Sequence, residues 1–342
     1  MASAPLPLSA APIRFGTDGW RGILGVDITV ERLLPVAAAA AQELAHQAPD
    51  QLNSKTVVIG YDRRFLAPEL AEAIASSVRG VGLEPLLTST PVPTPACSWT
   101  VVQRQALGAL VITASHNPPE WLGLKIKGPF GGSVDGTFTA AVERRLAAGS
   151  INVPVAGELP RFDARSEHLE GLRTKLNLGA ISSGLKAMGL RVIVDPMHGS
   201  AAGCVSDLLG TDAEGLVCEI RSQRDPLFGG CPPEPLAAHL QELIAAVQAS
   251  SRNGQPAVGL VFDGDGDRIA AVDEHGVFCS TQQLMPLLID HLAGARQLPG
   301  TVVKTVSGSD LMRLVAEDHG RQVLELPAVS YTHLTLPTTT PV

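Results

Sequence analysis

The sequence predicts a multidomain α/β protein. Short apolar runs rich in valine and isoleucine alternate with longer amphipathic segments, and this alternation is typical of layered α/β folds. The length of 342 residues allows two or three domains, since a typical domain holds about 100–200 residues. Hydrophobic residues make up 45% of the chain, which is enough for a core in each domain.

The individual elements follow from the same periodicity. Strands are predicted at the short apolar runs 56–60, 106–113, 190–195, 257–262, 269–273 and 301–305. Helices are predicted at the longer segments 29–47, 67–81, 137–148, 235–250, 281–295 and 309–318. Pro35 is expected in the first turn of the first helix or at a kink, because proline lacks the N–H that a helix interior uses.

Composition changes mark the expected boundaries. Residues 149–163 contain two prolines and few apolar positions, and this composition predicts a linker. A weaker boundary is expected near Gly276, after the strand 269–273. Residues 330–342 contain no Lys, Arg, Asp or Glu and show no sustained period. We interpret this tail as translated linker or vector sequence outside the fold.

Charge and cysteine content exclude several classes of function. The formal net charge of −8 argues against non-specific nucleic-acid binding, although a local basic cluster can still bind an anionic substrate. The five cysteines are widely spaced without a CxxC pair, which indicates neither a disulfide framework nor a zinc site. No secretory signal and no membrane-spanning run is evident. We expect a cytoplasmic protein without nucleic-acid or membrane partners, and its oligomeric state stays open.

Three carboxylates alternate with glycines directly after the apolar run 257–262. In extended backbone the side chains of Asp263, Asp265 and Asp267 project to one side, and the glycines let the loop curl. Hard divalent cations prefer such oxygen ligands. The pattern therefore predicts a metal site at the end of a strand.

Ser115 is the candidate nucleophile. It follows the strand 106–113 and precedes Pro118 and Pro119, which stiffen the loop and are expected to expose the hydroxyl. An ordinary turn serine is the alternative. Ser115 and His116 are not expected to form a hydrolase dyad, because neighbouring side chains in extended backbone point to opposite sides and no GxSxG motif is present. Together with the acidic loop, Ser115 indicates metal-assisted phosphoryl transfer through a phosphoserine.

A calcium-binding EF-hand is the competing interpretation of the acidic loop. With Asp263 at position 1, Glu274 falls at position 12, as in an EF-hand. However, position 6 is Arg268, where the loop requires glycine. The preceding residues also predict a strand instead of a helix. A calcium-binding module without catalysis is kept only as the alternative.

Cations are needed to balance the charge of the expected site. Three carboxylates and a phosphate of about −2 around one dication leave a deficit of about three positive charges. Arg21, Lys125 and Arg268 are candidates to supply them. For each of the three, a solvated surface cation is the alternative.

Several motifs resemble those of one enzyme family. FGTDGWRG at 15–22, SHNP at 115–118 and DGDGDR at 263–268 occur in the order found in alpha-D-phosphohexomutases. This group includes phosphoglucomutase, phosphomannomutase and phosphoglucosamine mutase. The segments 195–200 and 225–235 resemble the family's connecting segments, and the resemblance extends from about residue 13 to residue 327.

The resemblance implies a fold of the phosphohexomutase type. Two complete α/β domains with mixed sheets are expected, followed by the start of a third. Residues 12–155 would form domain I with the phosphoserine loop, and 156–277 domain II with the metal loop. Residues 278–329 would be an incomplete domain III, and 330–342 a tail without family resemblance.

The resemblance also implies a reaction. A phosphohexomutase transfers phosphate reversibly between positions 1 and 6 of a hexose phosphate, through phosphoserine and a sugar bisphosphate. Glucose 1-phosphate and glucose 6-phosphate are expected first as substrates, mannose phosphates next, with a glucose 1,6-bisphosphate-type activator. The family's sugar-recognition and distal phosphate-binding loops have no counterpart in the sequence. Little activity is therefore expected from this chain.

The site residues carry over by their motifs. Mg²⁺ would be held by Asp263, Asp265, Asp267 and an oxygen on Ser115. The resemblance places Arg21 at the phosphoserine and gives Lys125 an acid–base role, for which burial beside other cations could lower its pKa. Catalytic residues are expected to be Ser115, Lys125, Arg21 and His116, and phosphate-binding residues Arg268 and Arg21.

Overall fold

The computed structural model describes residues 11–16, 18–149 and 155–327. Within these residues the chain forms a mixed α/β structure with three sheets. None of the described helices combines the length and the apolar character needed to span a bilayer. The tail 330–342 and residues 150–154 of the expected linker lie outside the described residues.

The first sheet has six strands in the order β1-β5-β4-β2-β3-β6. Its strands are β1 (Trp20–Ile23), β2 (Thr56–Tyr61), β3 (Glu84–Thr88), β4 (Gly108–Ile112), β5 (Trp121–Lys127) and β6 (Arg161–Phe162). Strand β5 pairs antiparallel with β1 and β4, and the other pairs are parallel. The accompanying helices are α1 (Val30–His46), α2 (Ala67–Gly80), α3 (Thr94–Gln103), α4 (Gly136–Ala147) and α5 (Ala164–Lys175).

The second sheet has five strands in the order β11-β10-β9-β7-β8. Its strands are β7 (Arg191–Asp195), β8 (Val217–Glu219), β9 (Ala257–Phe262), β10 (Ile269–Val272) and β11 (Phe278–Cys279). Strands β8, β7 and β9 run parallel, while β10 is antiparallel to β9 and β11. Three helices accompany it: α6 (Leu178–Met188), α7 (Cys204–Leu209) and α8 (Gln241–Arg252).

A smaller unit follows the second sheet. Strands β12 (Val302–Thr305) and β13 (Val323–Leu326) pair in parallel. Helices α9 (Thr281–Ile289) and α10 (Asp310–Asp318) pack beside them, and a π-helical turn, Asp290–Ala295, continues α9. The buried residues of this smaller unit form a core much smaller than that of the first sheet.

The structure confirms the α/β class and corrects several element bounds. Strands β1 and β5 were not predicted, because β1 has only four residues, both contain glycine, and both depend on pairing with distant chain. The predicted helix 235–250 begins only at α8, since a 3₁₀ turn, Ala237–His239, comes first. Two residues of the expected linker form β6 at the edge of the first sheet. Pro35 lies inside α1, beyond its first turn.

Gly123 allows β1 and β5 to approach closely. A Cβ at this position would lie 2.4 Å from the Trp20 carbonyl oxygen and 3.0 Å from that of Thr113. These are backbone atoms, so they cannot rotate away. We expect Gly123→Ala to destabilise the fold by about 1–3 kcal/mol, measured as a lower free energy of unfolding in urea. Gly184→Ala, on an open face of α6, is the control, and an equal loss there would contradict the argument.

Candidate active site

The loop after β4 and the loop after β9 meet at the ends of the two sheets. Ser115 Oγ donates a hydrogen bond to Asp263 Oδ2 over 2.8 Å. A Cβ at Gly264 would lie 2.5 Å from the Ser115 carbonyl oxygen, so only glycine permits this approach. The expected exposure of the hydroxyl is wrong: Ser115 is 1% exposed, because the acidic loop covers it.

The three aspartates form one cluster. Ligand oxygens of Asp263, Asp265 and Asp267 all lie within 4.8 Å of one another. The loop is a turn instead of extended backbone, since Asp263 Oδ1 accepts the backbone N–H groups of Asp267 and Arg268. Gly266 supports this turn with a φ of +68°.

The cluster fits a hard divalent cation. Asp263 and Asp265 are fully buried, and Asp265 Oδ1 has no hydrogen-bond partner among the described residues. Burial and the neighbouring charges of Asp265 and Asp267 raise the pKa of Asp263. An oxygen-coordinated dication would satisfy the orphaned oxygen and relieve this repulsion.

Lys125 lies among carboxylates. Its Nζ is 2.5 Å from Asp267 Oδ2, 2.7 Å from Asp18 Oδ2 and 2.8 Å from Asp265 Oδ2. Burial alone would lower the lysine pKa, but the carboxylates of Asp265, Asp18 and Asp267 outweigh burial and raise it. The expected lowering by neighbouring cations is therefore wrong, since the nearest groups are anions. Lys125 is held as an ammonium that can donate protons.

Arg21 lies at the serine loop. It projects from β1, and its Nη1 donates to Asn117 Oδ1 over 2.9 Å. Its Nη2 lies 3.7 Å from Asp18 Oδ2. The side chain is 20% exposed, so the guanidinium can be reached from the cleft beside Ser115.

His116 and Ser115 point to the same side, contrary to the expectation. His116 Nδ1 lies 3.4 Å from Ser115 Oγ, a long hydrogen-bond distance. The expectation assumed extended backbone, whereas Ser115 has a φ of +53°. Burial lowers the pKa of His116, and Arg268 lowers it further, while Glu234 at 3.9 Å opposes them. The lowered pKa favours neutral imidazole.

A cleft of about 1490 Å³ opens in front of these groups. Its basic lining comes from Arg14, Arg21, Lys127 and Arg268. All three structural units contribute, since residues of α9 complete the wall. Arg268 therefore presents its side chain to the cleft while its backbone N–H closes the acidic loop.

Asp18 and Thr94 also contact the site, although neither was predicted from the sequence. Asp18 accepts from Ser133 Oγ over 2.7 Å and lies 3.3 Å from Lys127 Nζ. Its position in the FGTDGWRG segment was the available signal. Thr94 binds the metal loop twice, through Oγ1 to Asp265 Oδ2 at 2.5 Å and through its N–H to the Asp265 carbonyl at 2.8 Å. No local pattern marks Thr94, because its partner lies 171 residues away.

The EF-hand alternative is not supported. The acidic loop connects two antiparallel strands, β9 and β10, instead of two helices. Glu274 lies in the following turn, outside the carboxylate cluster, with its side chain 53% exposed. The loop therefore lacks the helices and the twelfth-position ligand that define an EF-hand.

Comparison with known proteins decides the family. The profile described as "Phosphoglucomutase/phosphomannomutase, alpha/beta/alpha domain I" matches residues 12–152, and that of domain II matches residues 166–276. The chain belongs to the phosphoglucomutase/phosphomannomutase family. Both loops of the site lie within the matched residues, Ser115 in the first and the aspartates in the second.

Relatives and solved structures agree with this family. A phosphoglucosamine mutase of Acidothermus cellulolyticus is 31% identical over 323 residues, which is 93% of this chain and 67% of that protein. A phosphoglucosamine mutase of Synechococcus sp. is 33% identical over 306 residues, which is 87% of this chain and 61% of that protein. The crystal structure of a putative phosphomannomutase from Thermus thermophilus superimposes with a TM-score of 0.81 at 32% identity, covering 93% of this chain and 70% of that one. The chain spans about 61–67% of the length of the first curated relatives.

Proposed function

We propose that this chain carries the phosphoserine chemistry of a phosphohexomutase, an intramolecular phosphotransferase. The observation that supports the proposal most is the 2.8 Å contact between Ser115 Oγ and the buried Asp263, one of three clustered carboxylates. A hydroxyl directly against a candidate cation site, at the edge of a basic cleft, suits phosphoryl transfer better than hydrolysis or simple binding.

The proposed reaction has two balanced transfers. In the first, a sugar bisphosphate of the glucose 1,6-bisphosphate type phosphorylates Ser115: the serine oxygen bonds to phosphorus, the sugar–phosphate ester bond breaks, and the serine proton passes to the sugar oxygen. In the second, the free hydroxyl oxygen of a hexose monophosphate bonds to phosphorus, the bond between phosphorus and the Ser115 oxygen breaks, and the hydroxyl proton passes to the Ser115 oxygen.

The chain's own residues have distinct proposed roles. Lys125, kept protonated by its raised pKa, relays the proton: its ammonium donates to the departing sugar oxygen and regains a proton from the Ser115 hydroxyl. Arg21 and Arg268 bind phosphate oxygens, and His116 contacts the transferring group beside Ser115.

Asp263, Asp265 and Asp267, with an oxygen of phosphorylated Ser115, would hold Mg²⁺. When bound, this ion would stabilise negative charge on the transferring phosphoryl group.

For the substrate we propose a glucosamine phosphate ahead of the glucose and mannose phosphates. Several curated relatives are phosphoglucosamine mutases, while the similar Thermus structure is a putative phosphomannomutase. These sugars differ at C2, where discrimination depends on a few hydrogen bonds.

Phosphorylation of Ser115 tests the proposal. Incubation with glucose 1,6-bisphosphate and Mg²⁺ is expected to add one phosphoryl group, located on Ser115 by intact-mass and phosphopeptide analysis. Ser115→Ala should remain unlabelled, because it lacks the nucleophilic oxygen. Ser89→Ala, whose hydroxyl donates to the Phe162 carbonyl, should be labelled like the wild type.

An unlabelled wild-type protein, or equal labelling of Ser115→Ala, would contradict the proposed function. Repeating the incubation with glucosamine 1,6-bisphosphate tests the substrate assignment, since the faster donor identifies the preferred sugar. Omitting Mg²⁺ and adding EDTA should slow labelling in both cases.

A further inference from the structure

The nucleophile has a backbone conformation that needs external support. Ser115 lies in the left-handed region, with a φ of +53°, where residues other than glycine are uncommon. Such a conformation persists only where the surrounding structure over-determines it, and it is frequent at functional sites. The groups that bind the backbone of Ser115 on its two sides therefore control where its hydroxyl points.

Arg64 binds the carbonyl side of this loop. Its Nη2 donates to the carbonyls of Ser115 at 2.8 Å and Asn117 at 2.7 Å. Its Nη1 donates to the carbonyls of Pro118 at 2.8 Å and Trp121 at 3.1 Å. The four terminal N–H groups thus match four carbonyls of one loop, which a lysine ammonium with three donors cannot reproduce.

Thr113 and Asp62 bind the other side. The Ser115 N–H donates to Thr113 Oγ1 at 2.8 Å, and the threonine hydroxyl donates in turn to Asp62 Oδ2 at 2.6 Å. Asp62 also accepts the backbone N–H of Arg64 at 3.0 Å, and its Oδ2 lies 3.3 Å from Arg64 Nε. All three side chains are buried, with at most 1% exposed, so the network is shielded from water.

The network also packs against the unit that carries the acidic loop. The Arg64 guanidinium lies 4.9 Å from the ring centroid of Phe228, which is itself buried. Arg224 donates to the Arg64 carbonyl at 3.1 Å. Ser115 is therefore fixed by groups that also bind the second unit, on which Asp263 lies.

We propose that Arg64, with Thr113 and Asp62, is a positioning group that aims Ser115 Oγ at the carboxylate cluster. None of the three lines the cleft, so they act through the serine backbone and not through the substrate. The inference deepens the proposed function and rests on it for its kinetic test.

Arg64→Lys and Thr113→Val test the role by single-turnover phosphorylation of the full chain with glucose 1,6-bisphosphate. We expect the maximal labelling rate to fall about 100-fold, as for a small misplacement of a reacting group. The bisphosphate concentration giving half-maximal rate should stay unchanged, because these residues do not line the cleft. Arg63→Lys is the matched control: Arg63 is the neighbouring arginine, and it donates to the Ser222 carbonyl instead.

Hydrogen exchange gives a readout that does not depend on labelling. In Arg64→Lys the amides of residues 114–121 should exchange faster than in Arg63→Lys, while those of β9 stay protected. If the wild-type chain is not labelled, the proposed function fails and exchange alone decides the positioning role. Equal labelling rates in Arg64→Lys and Arg63→Lys, or unchanged hydrogen exchange at residues 114–121, would overturn the proposed positioning role. If Arg64→Lys does not fold, Thr113→Val decides by the same two measurements.

Discussion

Asp265→Asn is expected to weaken Mg²⁺ binding by at least about 100-fold, since even groups that only support a metal ligand cost 10–100-fold in affinity. Asp265 is fully buried at the centre of the cluster; among the described residues one of its oxygens has no hydrogen-bond partner, and the other is bonded to Thr94. Asparagine keeps the shape of this side chain but removes its charge. Isothermal titration calorimetry with Mg²⁺ measures the change.

Phosphoryl transfer should fall with the metal affinity. We expect the rate of Ser115 labelling in Asp265→Asn to drop about 10²–10³-fold, the usual cost of removing one electrostatic stabiliser of a transition state. Glu274→Gln is the control, because Glu274 would be a ligand only in an EF-hand. Unchanged Mg²⁺ affinity in Asp265→Asn, or preferential Ca²⁺ binding lost in Glu274→Gln, would refute the assignment.

Lys125→Met is expected to destabilise the metal-free protein by about 3–5 kcal/mol, the cost of leaving buried charges without their partner. The Lys125 ammonium contacts Asp18, Asp265 and Asp267 and is 1% exposed. Methionine retains most of the volume but none of the charge. The free energy of unfolding in urea, measured with EDTA, should show the loss.

Mg²⁺ should restore part of the stability that Lys125→Met loses. A dication bound by the aspartates would replace the missing positive charge, so Mg²⁺ should stabilise Lys125→Met more than the wild type. Lys304→Met is the matched control, since Lys304 is also buried and pairs with Glu325 far from the cluster. It should lose stability without any added response to Mg²⁺. An equal Mg²⁺ response in wild type and Lys125→Met would contradict this account of the site.

The sequence located the serine loop and the acidic loop because their signals are local. A continuous apolar run predicted β9, and the alternating aspartates and glycines directly after it predicted the acidic turn. The same reasoning placed Ser115 after β4. Element bounds were less well determined: β1 and β5 carry Arg21 and Lys125, yet both contain glycine and neither was predicted as a strand. Their strand conformation depends on pairing with each other and with β4.

The environment of each group was decided only by the tertiary structure. Sequence reasoning expected cations near Lys125, but Asp265 and Asp267, about 140 residues away along the chain, lie beside its amine. It expected Ser115 and His116 to diverge, but the left-handed backbone of Ser115 brings them together. Residue types and their spacing along one loop determine which chemistry is available. Charge, burial and orientation depend on neighbours brought in by folding, because electrostatic and packing interactions act through space and not along the chain.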